Sequence, residues 1–176
     1  MTKNAMRVRR ARANDVAAIH QLIAIYSPDG TLLPRSLDDI RAHRGEFIVA
    51  EAEGRLLGCG GLYRYPNGLL EIRSIAVAPD CQHRGVGTHL VRRLLQEAQR
   101  SNAKKIFLFT RIPDFFARWG FFVVSATSLP EKIWKDCRLC PRLTCCDEIP
   151  MVFGVAAAAH ILPSRPDVPA LRVLPG

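Results

Sequence analysis

Residues 71–90, EIRSIAVAPDCQHRGVGTHL, constrain the fold of this chain more than any other stretch. They open as an apolar run rich in β-branched residues, break at Pro79-Asp80, and pass through Gln82-His83-Arg84-Gly85-Val86-Gly87 into a segment with helical apolar spacing. The pattern predicts strand, turn and helix. Gly85 and Gly87 put no side chain between the backbone N–H groups and a ligand, and the positive end of the helix dipole points at the same place. Such a loop suits an anion. It is neither a P-loop, Gly-x-x-x-x-Gly-Lys-Ser/Thr, nor a dinucleotide fingerprint, Gly-x-Gly-x-x-Gly, because neither spacing is present.

The rest of the chain supplies a sheet around this unit. Residues 6–11 read as a first strand, and Asn14 and Asp15 both suit the cap of a helix whose apolar residues are Val16, Ile19, Leu22 and Ile23. A turn at 30–36 carries Arg35, on local pattern alone a solvated loop residue, ahead of a short helix from Ser36. Residues 46–52 and 55–65 read as antiparallel strands joined at Glu53-Gly54, with Gly58, Gly60 and Gly61 weakening the second strand or marking a bulge. Pro66-Asn67-Gly68 turns into the central strand, 69–78. In the helix from Val86, Leu90, Val91, Leu94, Leu95 and Ala98 form a packing face, with Arg92, Arg93, Gln96 and Glu97 opposite.

Residues 104–110 follow as a buried strand, and strand, helix, strand in that order implies a parallel neighbour reached by a right-handed crossover. A short helix at 113–119 ends at Gly120 before a strand at 121–124. Phe115, Phe116, Trp119, Phe121 and Phe122 resemble a cofactor surface, but core packing is the preferred reading. A last strand is expected at 149–155. The domain is expected to span 1–156, with 157–176, rich in alanine and proline, as a disordered tail.

At 176 residues the chain suffices for one domain with a sizeable core. Its net charge of +9 and pI near 9.7 suit an anionic partner, yet the basic residues are scattered as singles and pairs, which argues against nucleic acid. The first ten residues lack the apolar core of a secretory signal, and the longest apolar run, 151–159, is roughly half a membrane span, so no membrane partner is expected. Cys137, Cys140, Cys145 and Cys146 suit a structural zinc better than a secreted disulfide scaffold, which makes a reducing cytoplasm the expected compartment. Buried free thiols are the other reading of that cluster. A monomer and a homodimer are both compatible with the sequence.

Gln-x-x-Gly-x-Gly after an apolar strand and a proline resembles the acetyl-CoA pyrophosphate loop of the GNAT superfamily of N-acetyltransferases. LLPRS, GEFIVAE, LLGCGGLYRYPNGLLEIRSIAVAP, FTRIPDFFARWGF and LPEKIWKDCRLCPRLTCCDEIPM together resemble the short, acetyltransferase-only N-acetylglutamate synthases, over residues 7–153. The resemblance implies a single-domain α/β acetyltransferase fold, with a mixed central sheet of about six or seven strands flanked by helices. It also implies acetyl-CoA as cosubstrate, L-glutamate as acceptor, and the opening step of arginine biosynthesis. It places the family's catalytic glutamate at Glu71, and puts Arg35 on a glutamate carboxylate with Ser74, Thr110 and Arg111 nearby. Acetyl-CoA would lie along Ile75, Ala76 and Val77 and on the loop formed by Gln82, His83, Arg84, Gly85, Val86, Gly87 and Thr88.

The residue types allow that chemistry. An α-amine with a pKa of about 8 is largely protonated near neutral pH, so a base must act before attack. Glu71, just ahead of the loop and acting through a water, is the candidate, the competing reading being an ion pair with Arg73. Backbone N–H groups of Ile75 to Val77 can stabilise the thioester oxygen if the strand splays there. A strict period of two puts Glu71 and Ser74 on opposite faces, so both reach one site only across a bulge.

Two positions depart from the family pattern. Phe116 stands where many members of the superfamily have a tyrosine that protonates the departing thiolate, and residues 145–151 hold no clear match to the Arg-x-Ser with which longer synthases help hold glutamate. An acetyltransferase for another small amine, or a non-enzymatic acyl-CoA sensor, therefore stands as the alternative.

Overall fold

The sheet grows from a hairpin fixed by its own turn. β2 (Phe47–Ala52) and β3 (Arg55–Arg64) are joined by Glu53 and Gly54, both at positive φ (52° and 74°), the geometry that matches the twist of paired strands. β1 (Arg7–Arg10) pairs antiparallel with β2, and β4 (Leu69–Val77) pairs antiparallel with β3. The computed structural model describes residues 6–140 and 142–154; the expected tail and the last two residues of the expected domain lie outside them.

α3 (Val86–Arg100) carries the chain from β4 to β5 (Lys105–Thr110), which lies parallel to β4. β7 (Ile149–Phe153) then inserts between β5 and β6 (Phe121–Val123), giving a seven-stranded mixed sheet in the order β1-β2-β3-β4-β5-β7-β6. Among the described residues no helix is long and apolar enough to cross a membrane.

Helices cover both faces. The leucine face of α3 is buried, and it comes so close to β3 that a Cβ on Gly58 would lie 2.8 Å from the Ala76 carbonyl oxygen and 3.0 Å from Leu90 and Val86. A Cβ on Gly60 would lie 2.8 Å from Leu94. The glycines therefore serve helix packing, which the strand pattern alone did not suggest. Cys59, between them, points the other way, towards α1 (Val16–Ile25), whose C-terminal Tyr26 feels the Cys59 thiol. α2 (Leu37–Ala42) starts where expected, with the Ser36 hydroxyl accepting from the Asp39 N–H at 3.1 Å.

The start of α1 differs from expectation. A 3-10 turn at Ala13–Asp15 precedes it, and the Asp15 carboxylate turns back to the Arg12 N–H (2.6 Å) and the Arg9 guanidinium (2.6 Å), so neither Asn14 nor Asp15 caps the helix. The aromatic cluster is core: Phe115, Phe116, Trp119 and Phe121 are buried around α4 (Pro113–Ala117), and only Phe122 is exposed. Gly120, at φ 88°, makes the break between α4 and β6.

The β3–β4 register slips by one residue. Cys59 pairs with Ala76 but Gly61 pairs with Arg73, so β4 carries one extra residue opposite Gly60, and Ser74 takes a φ of 53°. The bulge switches parity. Leu70 and Ile72 face α3 before it, and Ile75 and Val77 face α3 after it; Ile75 accordingly lies 3.3 Å from a Cβ built on Gly60. Glu71, Arg73 and Ser74 are left together on the opposite face.

Candidate active site

β4 pairs with β5 only from Leu69 to Glu71, although β4 runs on to Val77 and β5 to Thr110. The two parallel strands part directly beyond Glu71. From there the edge of β4 away from β3, carrying Ile75, Ala76 and Val77, has no strand beside it among the described residues. This is the splay that an oxyanion role for those N–H groups requires.

Glu71 sits at the root of the opening, 2% exposed. Its Oε1 is 2.6 Å from the Lys132 ammonium, and its Oε2 accepts from the Tyr65 hydroxyl at 3.0 Å. Lys132, from α5 (Pro130–Lys135), also meets Asp136 at 2.7 Å. Burial would lower the Lys132 ammonium, but Glu71 and Asp136 outweigh it and raise the group above 10.5. Burial beside the Glu71 carboxylate pushes the Tyr65 phenol far above its ordinary value. Arg73, the partner weighed for Glu71 from the sequence, is instead in an ion pair with Glu46 at 3.6 Å. Glu148, just before β7, is a further carboxyl in the neighbourhood, pushed up by burial against the pull of Lys132 and Arg111.

The bulge brings Ser74 within reach of the turn that precedes α2. Arg35 Nε donates to Ser74 Oγ at 3.2 Å and Arg35 Nη1 meets Asp39 at 2.8 Å, so Arg35 is a half-buried member of the site and its local reading as a solvated loop residue does not hold. Arg111 and Thr110 make contacts beside it. Arg111 pairs with Asp147 (2.7 Å) and donates to Thr31 Oγ1 (3.2 Å) and the Gly30 carbonyl (3.0 Å), tying down the turn that leads to Arg35. Thr110 Oγ1 accepts from the Ile112 N–H at 3.0 Å, closing the corner into α4.

At the other end of β4 the expected passage from strand through a turn into a helix is formed. A 3-10 turn at Pro79–Cys81 leads through His83, at φ 62°, to Gly85, at φ 78°, immediately before α3. His83 and Arg84 are exposed beside it. The Gln82 amide donates to the Tyr26 hydroxyl at 2.9 Å, and that hydroxyl donates to the Val77 carbonyl.

The expected zinc knuckle does not form. Among the described residues no group of three or more His, Cys, Asp and Glu side chains is placed to hold a metal ion. Cys137 and Cys145 fall in separate 3-10 turns, Cys145 and Cys146 are exposed, and burial pushes the Cys137 thiol up, against the thiolate form that a metal needs.

A sequence profile of the Acetyltransferase (GNAT) family matches residues 15–122. The chain belongs to the GNAT acetyltransferase family. It is 36% identical over 145 residues to an uncharacterized N-acetyltransferase of Chlorobaculum tepidum, covering 82% of this chain and 94% of the relative. It is 38% identical over 135 residues to an amino-acid acetyltransferase of Mycobacterium tuberculosis, covering 74% and 77%. Among solved structures, N-acetylglutamate synthase from Neisseria gonorrhoeae, complexed with coenzyme A and N-acetyl-glutamate, matches with a TM-score of 0.76 at 28% identity. That match covers 86% of this chain and 35% of the gonococcal one, so the chain spans about a third of the synthase. This GNAT protein is an acetyl-CoA-dependent N-acetyltransferase.

Acetyl-CoA fits the arrangement. The first turn of α3 presents backbone N–H groups that have no intrahelical acceptor, and Thr88 in that turn is 1% exposed with a hydroxyl that has no hydrogen-bond partner among the described residues. Sequence reasoning missed Lys132, Tyr65 and the Gln82–Tyr26 link. Lys132 left a faint signal, its i,i+4 spacing to Asp136 in a helix that follows Leu129-Pro130.

Proposed function

We propose that this GNAT enzyme moves an acetyl group from acetyl-CoA to the α-amine of L-glutamate, the opening step of arginine biosynthesis, in the cytoplasm. The observation that carries the proposal is the bulge at Ser74, which gathers Glu71, Ser74 and Arg35 on one face where β4 and β5 part. The names of its relatives support it: one is an amino-acid acetyltransferase, and another was solved with N-acetyl-glutamate.

Acetyl-CoA supplies the activated acetyl group, and the chain's residues do the rest. Arg35 pairs with a carboxylate of the acceptor in the forked geometry that guanidinium favours. Glu71, too buried for direct contact, takes the ammonium proton through a water, with Lys132 and Tyr65 fixing its two oxygens. The freed amine attacks the thioester carbonyl, whose oxygen is met by N–H groups of the open β4 edge; the C–N bond forms, the C–S bond breaks, and the second proton of the attacking nitrogen passes to the departing CoA thiolate. Phe116 brings no proton to that thiolate. Its ring is buried edge-on to Phe115 and 5.8 Å from Phe121.

The test is CoA release by the purified protein with L-glutamate, L-glutamine, L-aspartate, other amino acids and polyamines. A strong preference for L-glutamate is expected. Preference for a different amine would overturn the acceptor assignment, and CoA binding without turnover on any acceptor would make the protein a sensor.

A further inference from the structure

Arg73 shares this face with Glu71 and Ser74 and has no task in the mechanism above. It lies two residues beyond Glu71, directly before the bulge, and its side chain is 8% exposed. Its guanidinium carbon is 3.9 Å from the centre of the Tyr63 ring, which Lys135 also approaches at 4.3 Å. This packing fixes where the guanidinium points but does not satisfy it. The Glu46 carboxylate, at 3.6 Å, is beyond hydrogen-bond length, and Arg73 Nη1 is buried with no hydrogen-bond partner among the described residues. Burial and the neighbouring Arg35 guanidinium push Arg73 below its ordinary value against the pull of Glu71, Glu46 and Asp136, while burial pushes the Glu46 carboxyl up. Arg35 has Asp39 at 2.8 Å, whereas the buried Nη1 of Arg73 is left with an unused donor that a bound carboxylate would satisfy.

The order of groups along β4 separates the two ends of the acceptor. The α-carboxylate is bonded to the carbon that bears the reacting amine, so it must lie close to the open edge at Ile75 to Val77. Arg35, held at Ser74 Oγ, is the arginine next to that edge. Arg73 lies on the far side of the bulge, towards Tyr63 and Glu46, within reach of the distal end of a short side chain.

We infer that Arg73 is a specificity-determining residue, pairing with the side-chain carboxylate of a dicarboxylic amino acid whose α-carboxylate Arg35 holds. The inference rests on the proposed glutamate reaction. A neutral amide at the same place offers Arg73 no charge to pair with beyond the distant Glu46, so the site disfavours L-glutamine through Arg73.

The experiment is steady-state kinetics of the wild type, Arg73→Met and Arg73→Lys with L-glutamate and L-glutamine. The expected result for Arg73→Met is a rise of about 30- to 1,000-fold in KM for L-glutamate, with a smaller change in kcat. The glutamate-to-glutamine ratio of kcat/KM should fall by a similar factor, KM for acetyl-CoA should stay within about twofold, and Arg73→Lys should recover part of the ratio. An unchanged ratio, with both acceptors losing rate equally, would make Arg73 a packing residue and overturn the inference while leaving the glutamate reaction intact. A wild type that turns over no dicarboxylic amino acid would overturn the reaction and the inference together. Should Arg73→Met fail to fold, inhibition of the wild type decides: glutarate competing with L-glutamate at least about tenfold better than pentanoate supports the second cation, and equal inhibition rejects it.

Discussion

The two ends of β4 are built by different means. Beyond Ala78 the proposed donor end is local: Pro79 breaks the strand, Gly85 takes the left-handed conformation, and α3 starts at once, so a backbone shape forms the loop proposed for acetyl-CoA. The acceptor end is assembled from afar. Glu71 is met by Lys132 from sixty-one positions later, and Ser74 by Arg35 from thirty-nine earlier. One end is a conformation and the other a balance of charges, so substitutions should separate them.

The largest separation is expected at Glu71. Glu71→Gln keeps the shape of the side chain and a hydrogen-bond acceptor for Tyr65 but removes the base, so turnover should fall by roughly 100- to 10,000-fold. Acetyl-CoA binding, measured by calorimetry, should be unchanged, because the loop lies at the other end of the strand. Unaltered turnover would remove Glu71 from the mechanism and leave its ion pair as architecture.

Lys132→Met tests whether that ion pair is architecture as well. Removing one partner of a buried pair should lower stability by about 3–5 kcal/mol in a urea titration. The pH dependence has a definite sign. The Lys132 ammonium is raised on folding, so its contribution is complete below 10.5 and is lost as pH rises through the folded value. Burial would raise the Asp136 carboxyl, but Lys132 and Lys135 outweigh it and hold it below 3.8; its contribution is present above that value and lost as pH falls through the folded one. The stability gap between wild type and Lys132→Met should therefore be widest between these limits and close at both extremes. A gap flat across pH would mean that packing, not charge, is what Lys132 contributes.

Gly58→Ala should have a smaller effect, about 1–3 kcal/mol of stability, because the new methyl would stand 2.8 Å from a backbone oxygen that side-chain rotation cannot move. The strain falls on Ala76, on the donor side of the bulge, so weaker acetyl-CoA binding should accompany it. A neutral substitution would show that β3 and α3 can move apart.

The same division explains what could be read from the sequence. The hairpin at Glu53-Gly54, the β4–α3 unit and the parallel β5 follow from turn chemistry and periodicity, which neighbouring residues carry. The bulge was half legible, since the apolar positions Leu70, Ile72, Ile75 and Val77 change parity within one run. Lys132 on Glu71 and Arg35 on Ser74 are pairings across the fold, and a lone charged residue carries no local mark of its partner. The cysteine cluster misled for the converse reason: its spacing resembled a metal site, yet among the described residues the two turns that carry it gather no set of three or more ligands for a metal.

The finest test lies at the donor end, in the Tyr26 hydroxyl. It joins the Gln82 amide to the Val77 carbonyl, and so ties the anion loop both to α1 and to the end of β4. Tyr26→Phe leaves the ring in place and deletes both hydrogen bonds, which should cost about 1–2 kcal/mol of stability. Loss of the link should loosen the loop without touching Arg35, Arg73 or Glu71. KM for acetyl-CoA should therefore rise by about three- to tenfold at constant KM for L-glutamate, the opposite of the pattern expected for Arg73→Met. Equal shifts in both constants would mean that the two ends of β4 are coupled through the strand, and the distinction between a conformational end and a charge-balanced end would fail.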